Sequence, residues 1–292
     1  MNRLRVLLAL MAMPVVYVTM ASAGGELAPA LRVPASSAQP AGAVRYGSGW
    51  AVPLKSGVPL EWYTPALRQR VRSGVPVSAP GAAPRPPEPG IRPGSWMVEP
   101  YACTLGWLFR KDGALAASTA GHCVDRVGDR VVILTRAPDT GDAVLLDIGV
   151  VIERHAGGIG DDFALIEIRP ALRRWADAAA AVVGGPCGEY RQERAQTVVY
   201  YGHGVGTKGG EPQSGAAARW RTQAFGWDTH SVSGDSGSPV RLTDFSAAGL
   251  LTHVVTDDGG APSFVAGTRI AQILQAAPGW SLAESRLCLK AA

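Results

Sequence analysis

Short runs of apolar and β-branched residues recur through the last two thirds of the chain, separated by Gly- and Pro-rich stretches. Their alternation has the period of two that favours β-strands. The pattern predicts strands at 103–109, 114–119, 130–135, 143–154, 163–168, 196–201, 219–227, 239–242, 247–255 and 263–270. One Ala-rich stretch, 171–183, has helical character and is expected to bridge two halves. Many short strands with such turns indicate an all-β sandwich or barrel.

The first 23 residues have the pattern of a secretory signal peptide. Arg3 and Arg5 precede an apolar run that ends near Thr19, and the small residues 21–23 suit a cleavage site. The alternative is an uncleaved membrane anchor, but the run is shorter than the roughly 20 residues that span a bilayer. We therefore expect a secreted, extracellular protein without stable membrane association once the signal is removed.

Residues 24–94 form a Pro/Ala/Gly-rich prefix that differs from the rest. Of the 22 prolines, 14 lie between Pro29 and Pro100, and such a composition favours an extended, largely disordered linker or propeptide. Within it, 60–72 could form one short helix whose Trp62, Tyr63 and Leu67 dock on the following domain. Residues 1–94 carry a net charge of +7 and residues 95–292 a net of −3. The basic character therefore belongs to the prefix and does not indicate a nucleic-acid-binding domain.

Three short motifs carry the candidate chemistry. Ser236 is flanked by Gly234 and Gly237, which allow a tight turn around its hydroxyl. A serine hydroxyl needs a base to take its proton. His122 and Asp162 lie upstream, so the chain order is His, Asp, Ser. That order differs from the Ser, Asp, His order of α/β-hydrolases.

The motifs Thr-Ala-Gly-His-Cys at 119–123, Asp-Phe-Ala-Leu-Ile at 162–166 and Gly-Asp-Ser-Gly-Ser-Pro at 234–239 resemble those of the trypsin/chymotrypsin-like serine proteases, in particular their secreted bacterial branch. The resemblance covers about 103–270. It implies two six-stranded antiparallel β-barrels with short helices, with lobes at about 95–170 and 187–275 of a domain spanning 95–292. It also favours a propeptide over a linker for the prefix.

The resemblance implies a role for each motif residue. Ser236 would attack a peptide carbonyl to give an acyl-enzyme, with His122 as base and Asp162, rather than Asp161, orienting the imidazole. The backbone N–H groups of Gly234 and Ser236 would form the oxyanion hole. The acid before the serine, Asp235, would pair with an internal arginine.

The family pattern also suggests where substrate binds. His230 stands where trypsin-like enzymes place the residue at the base of their specificity pocket, and its identity argues against a trypsin-type preference. Thr252 and His253 match the strand that pairs with substrate backbone. His155 and His203 are expected in loops.

Four cysteines permit three pairings. The family pattern joins Cys103 to Cys123, beside the catalytic histidine. Cys187 and Cys288 are then left to each other, which would tie the C-terminal tail to the second lobe.

The predicted function is therefore a secreted serine endopeptidase acting on polypeptide substrates, as a monomer and without nucleic acid. The histidines lack the tight spacing of a zinc site, so neither a metal nor another cofactor is expected. Two alternatives stay open: a protease-like binding module without activity, and an esterase that uses the same triad.

Overall fold

The structure, a computed structural model, describes residues 42–54, 60–71, 75–204 and 211–288. The expected signal peptide at 1–23 lies outside the described residues. Among those described, no helix is both long and apolar enough to cross a membrane.

The described chain is built almost entirely from β-strands. In chain order they are β1 Val44–Tyr46, β2 Gly49–Pro53, β3 Val77–Ser78, β4 Trp96–Glu99, β5 Cys103–Thr104, β6 Leu108–Lys111, β7 Ala114–Thr119, β8 Arg130–Arg136, β9 Ala143–Ala156, β10 Asp162–Ile168, β11 Gln196–Tyr200, β12 Gln213–Ala217, β13 Ala224–Trp227, β14 Pro239–Leu242, β15 Ala247–Thr256, β16 Pro262–Arg269 and β17 Ser281–Leu282. Two short helices, α1 Pro65–Arg70 and α2 Ile270–Ala276, and two 3-10 turns, Gly121–Cys123 and Pro170–Trp175, complete the fold.

The first half forms a curled antiparallel sheet in the order β5-β4-β8-β9-β10-β7-β6. Between β5 and β6 the chain continues the curl. Leu105 N–H donates to Ser95 O near β4, and Gly106 N–H donates to Ser118 O of β7. The two ends of the sheet are thereby brought together. The interior is packed with aliphatic residues such as Ile133, which is fully buried.

The second half closes completely. Strands β14, β11, β12, β13 and β16 follow one another, and β15 pairs with both β14 and β16, which gives a ring of six. Aromatic residues stack inside it, with Phe225 between Trp220 and Trp227. This is the chymotrypsin-like arrangement of two barrels that the motifs predicted, and the fold prediction is confirmed.

A third apolar cluster joins the two barrels. Trp107 and Phe163 from the first barrel pack with Tyr201 and Leu250 from the second. The buried Trp107 Nε1–H also donates to Gly249 O at 2.9 Å. This contact fixes the segment between β5 and β6 of the first barrel against β15 of the second.

The described part of the prefix is more regular than the expected disordered segment. α1 begins after Thr64, whose side chain accepts the Leu67 N–H at 3.2 Å, and Pro65 occupies its first turn. The predicted helix therefore forms, although it is shorter than 60–72. Tyr63 and Leu67 pack on Val132 and other residues of the first barrel. Prolines break long elements, but they do not prevent short ones from burying apolar side chains.

The helix predicted over 171–183 is wrong. Only the 3-10 turn Pro170–Trp175 forms. Beyond it the backbone bonds to the prefix, since Asp177 N–H donates to Ile91 O and Ala181 N–H donates to Pro93 O. These tertiary hydrogen bonds replace the local ones that alanine favours.

Both disulfides form in the expected pairing, Cys103–Cys123 and Cys187–Cys288. The first lies within the first barrel, next to the His122 turn. The second ties the C-terminal tail to the segment that enters the second barrel.

Candidate active site

His122 is presented by a tight turn at the end of β7. The chain leaves the strand at Thr119 and enters the 3-10 turn Gly121–Cys123. A Cβ at Gly121 would lie 1.6 Å from His155 O, so only glycine allows this turn to approach β9 so closely. The disulfide from Cys123 to Cys103 holds the other side of the turn.

Asp162, the first residue of β10, lies directly behind the imidazole. Its Oδ1 accepts the backbone N–H of His122 at 2.9 Å, and its Oδ2 accepts from Nδ1 at 2.6 Å. Asp162 is 1% exposed. Burial acts to raise its pKa, but the charge and hydrogen bonds of His122, together with His253, outweigh it and lower the pKa below the usual value. Asp162 is therefore ionised at neutral pH.

Ser236 lies on the opposite side of the imidazole, in the 233–239 loop of the second barrel. Gly234 and Gly237 have φ of +102° and +90°, and a Cβ at Gly237 would lie 2.1 Å from Thr104 O. Ser236 Oγ lies 2.8 Å from His122 Nε2 and 3.0 Å from Thr252 O, and its one proton can donate to either acceptor. The residues that the motifs singled out thus form one hydrogen-bonded series, Asp162–His122–Ser236.

Asp161, which precedes this carboxylate, has a different environment. Its side chain is 45% exposed and pairs with His155 Nδ1 at 3.0 Å. His155 belongs to β9 rather than to a loop, and its ring stacks on Phe163 at 4.5 Å. Of the two adjacent acids, only Asp162 contacts His122 in the described structure.

Asp235 is buried without the expected arginine. Its carboxylate accepts from Ser231 Oγ and from Val232 N–H, both at 3.0 Å, and from the backbone of Gly204. No arginine or lysine within the described ranges forms an ion pair with it. Burial raises the pKa of Asp235 to about 6, although these hydrogen bonds act in the opposite direction. Neutral dipoles, not a cation, satisfy this carboxylate in the part of the chain that the structure describes.

His253 packs beside the catalytic candidates. Its ring is 5.6 Å from that of His122, edge to face, and its Nδ1 lies 3.7 Å from Asp162 Oδ2. Burial lowers the pKa of His253 to about 4, and the opposing charge of Asp162 does not compensate, so the ring is neutral at neutral pH. Two imidazoles and a carboxylate are metal ligands elsewhere. Here the His122 nitrogens already bond to Asp162 and Ser236, and we assign no metal to this cluster.

The predicted pocket residues are divided between two places. Thr252 and His253 lie on β15 beside Ser236, whereas the His230 side chain is exposed. His230 and Asp235 help to line a small cavity with Tyr200 and Glu211. The role of His230 in specificity stays a prediction.

One participant was missed by the sequence reasoning: residues 42–54, which we call the arm. β1 and β2 form a hairpin, and β2 pairs with β15. Gly234 N–H, the proposed oxyanion donor, donates to Leu54 O at 2.6 Å. Among the described residues the structure records no acceptor for the Ser236 N–H. The alternating residues around Gly47-Ser48-Gly49 were a hairpin signal, but nothing in them indicated the cleft as the docking site.

Many solved structures have a related architecture, but their sequence identity to this chain is low and their structural overlap with it is modest. Thermobifida fusca protease A is 19% identical, with a TM-score of 0.46, and covers 67% of this chain and 97% of its own. A glutamic acid-specific serine protease that uses a histidine triad in substrate binding is 15% identical, with a TM-score of 0.48, over 66% of this chain and 100% of its own. An alpha-lytic protease homolog is 19% identical, with a TM-score of 0.43, over 67% and 97%. No protein-family model and no curated protein matches the chain. These overlaps are too low to assign an activity, which must be argued from the site itself.

Proposed function

We propose that this protein is a secreted serine endopeptidase that hydrolyses peptide bonds through an acyl-enzyme. The observation that carries the proposal is the hydrogen-bonded series of Ser236 Oγ, His122 and Asp162, with contacts of 2.8 and 2.6 Å. An acidic group behind a histidine that faces a serine hydroxyl is the arrangement that makes serine nucleophilic.

The chemistry follows from the protonation states. Asp162 is ionised and accepts the Nδ1–H of His122, which leaves Nε2 free to take the proton of Ser236 as its Oγ attacks a carbonyl carbon. The Gly234 N–H donates to the developing oxyanion, and loss of one such donor costs about 3 kcal/mol of transition-state stabilisation. His122 then returns the proton to the leaving amine, and water releases the acyl group by the reverse path.

The character of the cleft favours a peptide over a small ester. β15 offers its backbone to an extended strand, and the arm occupies that edge through the register Pro53–His253, Val52–Val254 and Ala51–Val255. Strand addition of this kind recognises main chain over several residues. A small acyl ester has no such backbone and would leave most of these contacts unused.

The test uses protein made from the full-length chain. A fluorophosphonate probe should label Ser236, located by mass spectrometry, and the same preparation should hydrolyse peptide substrates. Ser236→Ala should lose the label and lower turnover by about 10⁴-fold or more. Ser246→Ala, in the turn between β14 and β15, should retain both because its hydroxyl donates to the exposed Asp244 rather than to a residue of the candidate site.

A docked arm would keep the probe away from Ser236, so a variant with weakened arm docking is tested as well. Val52→Asp introduces a charge at a position that is 7% exposed and should weaken the docking of the arm. If neither the wild type nor Val52→Asp is labelled at Ser236 although both are folded, the endopeptidase proposal is wrong and the binding module is favoured. Turnover of esters without turnover of peptides would favour the esterase.

A further inference from the structure

The arm lies in the cleft as an added antiparallel strand. Pro53, Val52 and Ala51 of β2 face His253, Val254 and Val255 of β15. At its start, a Cβ on Gly49 would lie 1.9 Å from Thr256 O, so the backbones approach as closely as the chain allows. The arm therefore docks as a main-chain strand along the edge that we propose for substrate.

The last described residue of the arm, Leu54, is held between β15 and the 233–239 loop by two hydrogen bonds. Its N–H donates to Thr252 O at 3.3 Å, and its carbonyl oxygen accepts the Gly234 N–H at 2.6 Å. Ser236 Oγ lies 3.0 Å from the same Thr252 O. The Leu54 carbonyl is thus bonded to the proposed oxyanion donor, and the Leu54 N–H shares its acceptor with the Ser236 hydroxyl.

Side chains reinforce this placement. Leu54 is completely buried, in the apolar cluster that includes Trp220 and Trp227, and Ser236 is completely buried as well. Pro53 has no N–H to donate. In an antiparallel ladder only every second residue points its N–H towards the partner strand, and in the arm Leu54, not Pro53, points its N–H towards β15. The proline therefore costs no hydrogen bond to β15.

We propose that the protein cuts its own chain on the carboxyl side of Leu54. The proposal rests on the proposed endopeptidase function and extends it to an intramolecular substrate. Ser236 Oγ bonds to the Leu54 carbonyl carbon while its proton passes to His122. The bond from Leu54 to the nitrogen of the next residue breaks as that nitrogen takes the proton. One water then hydrolyses the ester, leaving a carboxylate on Leu54, an amine on Lys55 and an intact Ser236.

A cut at the end of the Pro-rich prefix fits the structure less well. Arg92 and Ser95 are each at most 9% exposed, and Gly94 N–H donates to Leu105 O inside the first barrel. A protease would have to unfold this stretch to reach it. The cut after Leu54 releases the arm with the residues before it and leaves 60–94 as part of the enzyme.

The experiment follows the chain by intact-mass measurement and N-terminal sequencing. Protein made from the full-length chain should begin at Lys55, whereas Ser236→Ala should stay joined across Leu54. Leu54→Asp buries a charge among aromatic rings and should slow this cut by about 100-fold or more, and the conservative Leu54→Met should restore it. Val44→Ala, on the exposed β1, is the matched control and should be cut like the wild type.

Dilution and mixing experiments test whether each molecule cuts its own chain. The cut should proceed at a rate independent of dilution, and the uncut Ser236→Ala chain should be processed only slowly by added active protein, since its own arm covers its own cleft. A rate that rises in proportion to concentration would overturn the intramolecular step.

The same samples are assayed with the fluorophosphonate probe and a peptide substrate, so the two proposals fail separately. Protein that is labelled and active but uncut after Leu54, or cut only elsewhere, overturns the self-cleavage and leaves the endopeptidase standing. Protein that is neither labelled nor active, with Val52→Asp equally silent, overturns the endopeptidase itself.

Discussion

The Pro-rich prefix contains two described regions that attach to the molecule in different ways. The arm, 42–54, lies along β15 of the second barrel. The barrel-packed segment, 60–94 without 72–74, lies on the first barrel, where β3 pairs with β9 and Ile91 enters the core. One region occupies the candidate active site, and the other completes a barrel wall.

The two regions differ in how they attach. β1 is the exposed edge strand, and β2 lies between β1 and β15, where another extended peptide could make the same main-chain hydrogen bonds to β15. The barrel-packed segment uses side chains specific to their sites, such as Arg92, which pairs with Asp177 at 3.2 Å and with Glu88. Together with the proposed cut after Leu54, this contrast places the proposed boundary within the prefix rather than at its end.

The strongest test of this comparison is Ile91→Ala. Ile91 is fully buried in the first core, so its truncation should lower the free energy of unfolding by about 2–5 kcal/mol. The measurement is urea unfolding in a Ser236→Ala background, where the chain stays intact. Val44→Ala in the arm should change stability by less than about 0.5 kcal/mol. A near-zero effect at Ile91 would mean that the segment is as dispensable as the arm.

His203 gives a pH-dependent test at the end of the barrel-packed segment. Its Nε2–H donates to Gly94 O at 2.8 Å, its ring stacks on Trp96, and its Nδ1 has no partner among the described residues. Burial lowers the pKa of His203 to about 4, although the bond to Gly94 acts in the opposite direction. As the pH falls below 6.5, the ordinary pKa of histidine, His203 binds a proton in the unfolded chain but stays neutral in the folded chain.

The lowered pKa of His203 makes the folded protein less stable at acidic pH. The stability contributed by neutral His203 is fully present above pH 6.5 and is lost as the pH falls towards 4, by on the order of 3 kcal/mol. His203→Gln keeps a donor for Gly94 and has no titration, so its unfolding free energy should depend less on pH over this window. The difference between the two proteins isolates His203 from His253 and Asp235, which also titrate there. If the free energy of unfolding depends on pH equally in the wild type and in His203→Gln, His203 is solvated in the folded protein.

Local patterns were enough for most strands and for the candidate site. β7, β10 and β14 lie where alternation predicted them, and the motif residues His122, Asp162 and Ser236 come together as their order suggested. Such features depend on short-range sequence, because strand period and tight Gly turns are set by neighbouring residues.

What the sequence did not reveal depends on long-range pairing. The Ala-rich 171–183 stretch bonds to prefix residues that precede it by nearly ninety positions, and the arm pairs with a strand about two hundred positions later. Burial of Asp235 among neutral donors was likewise invisible, since its partners come from two loops. A high proline content predicts that long helices and strands do not form, but it does not predict that tertiary contacts are absent.

The smallest expected effect uses the arm as a free peptide. A synthetic peptide with the sequence 43–54 and a terminal carboxylate should inhibit the active protein competitively, because it can add to β15 and place its leucine in the pocket that Leu54 fills. Replacing that leucine by alanine should weaken inhibition by about 10–100-fold, as expected for losing the burial of one aliphatic side chain. A peptide with the sequence 84–95 is the matched control and should not inhibit, since the contacts of that region lie in the first barrel. Equal inhibition by both peptides would mean that the cleft binds any extended peptide, and the arm would then owe its position to the chain connection rather than to recognition.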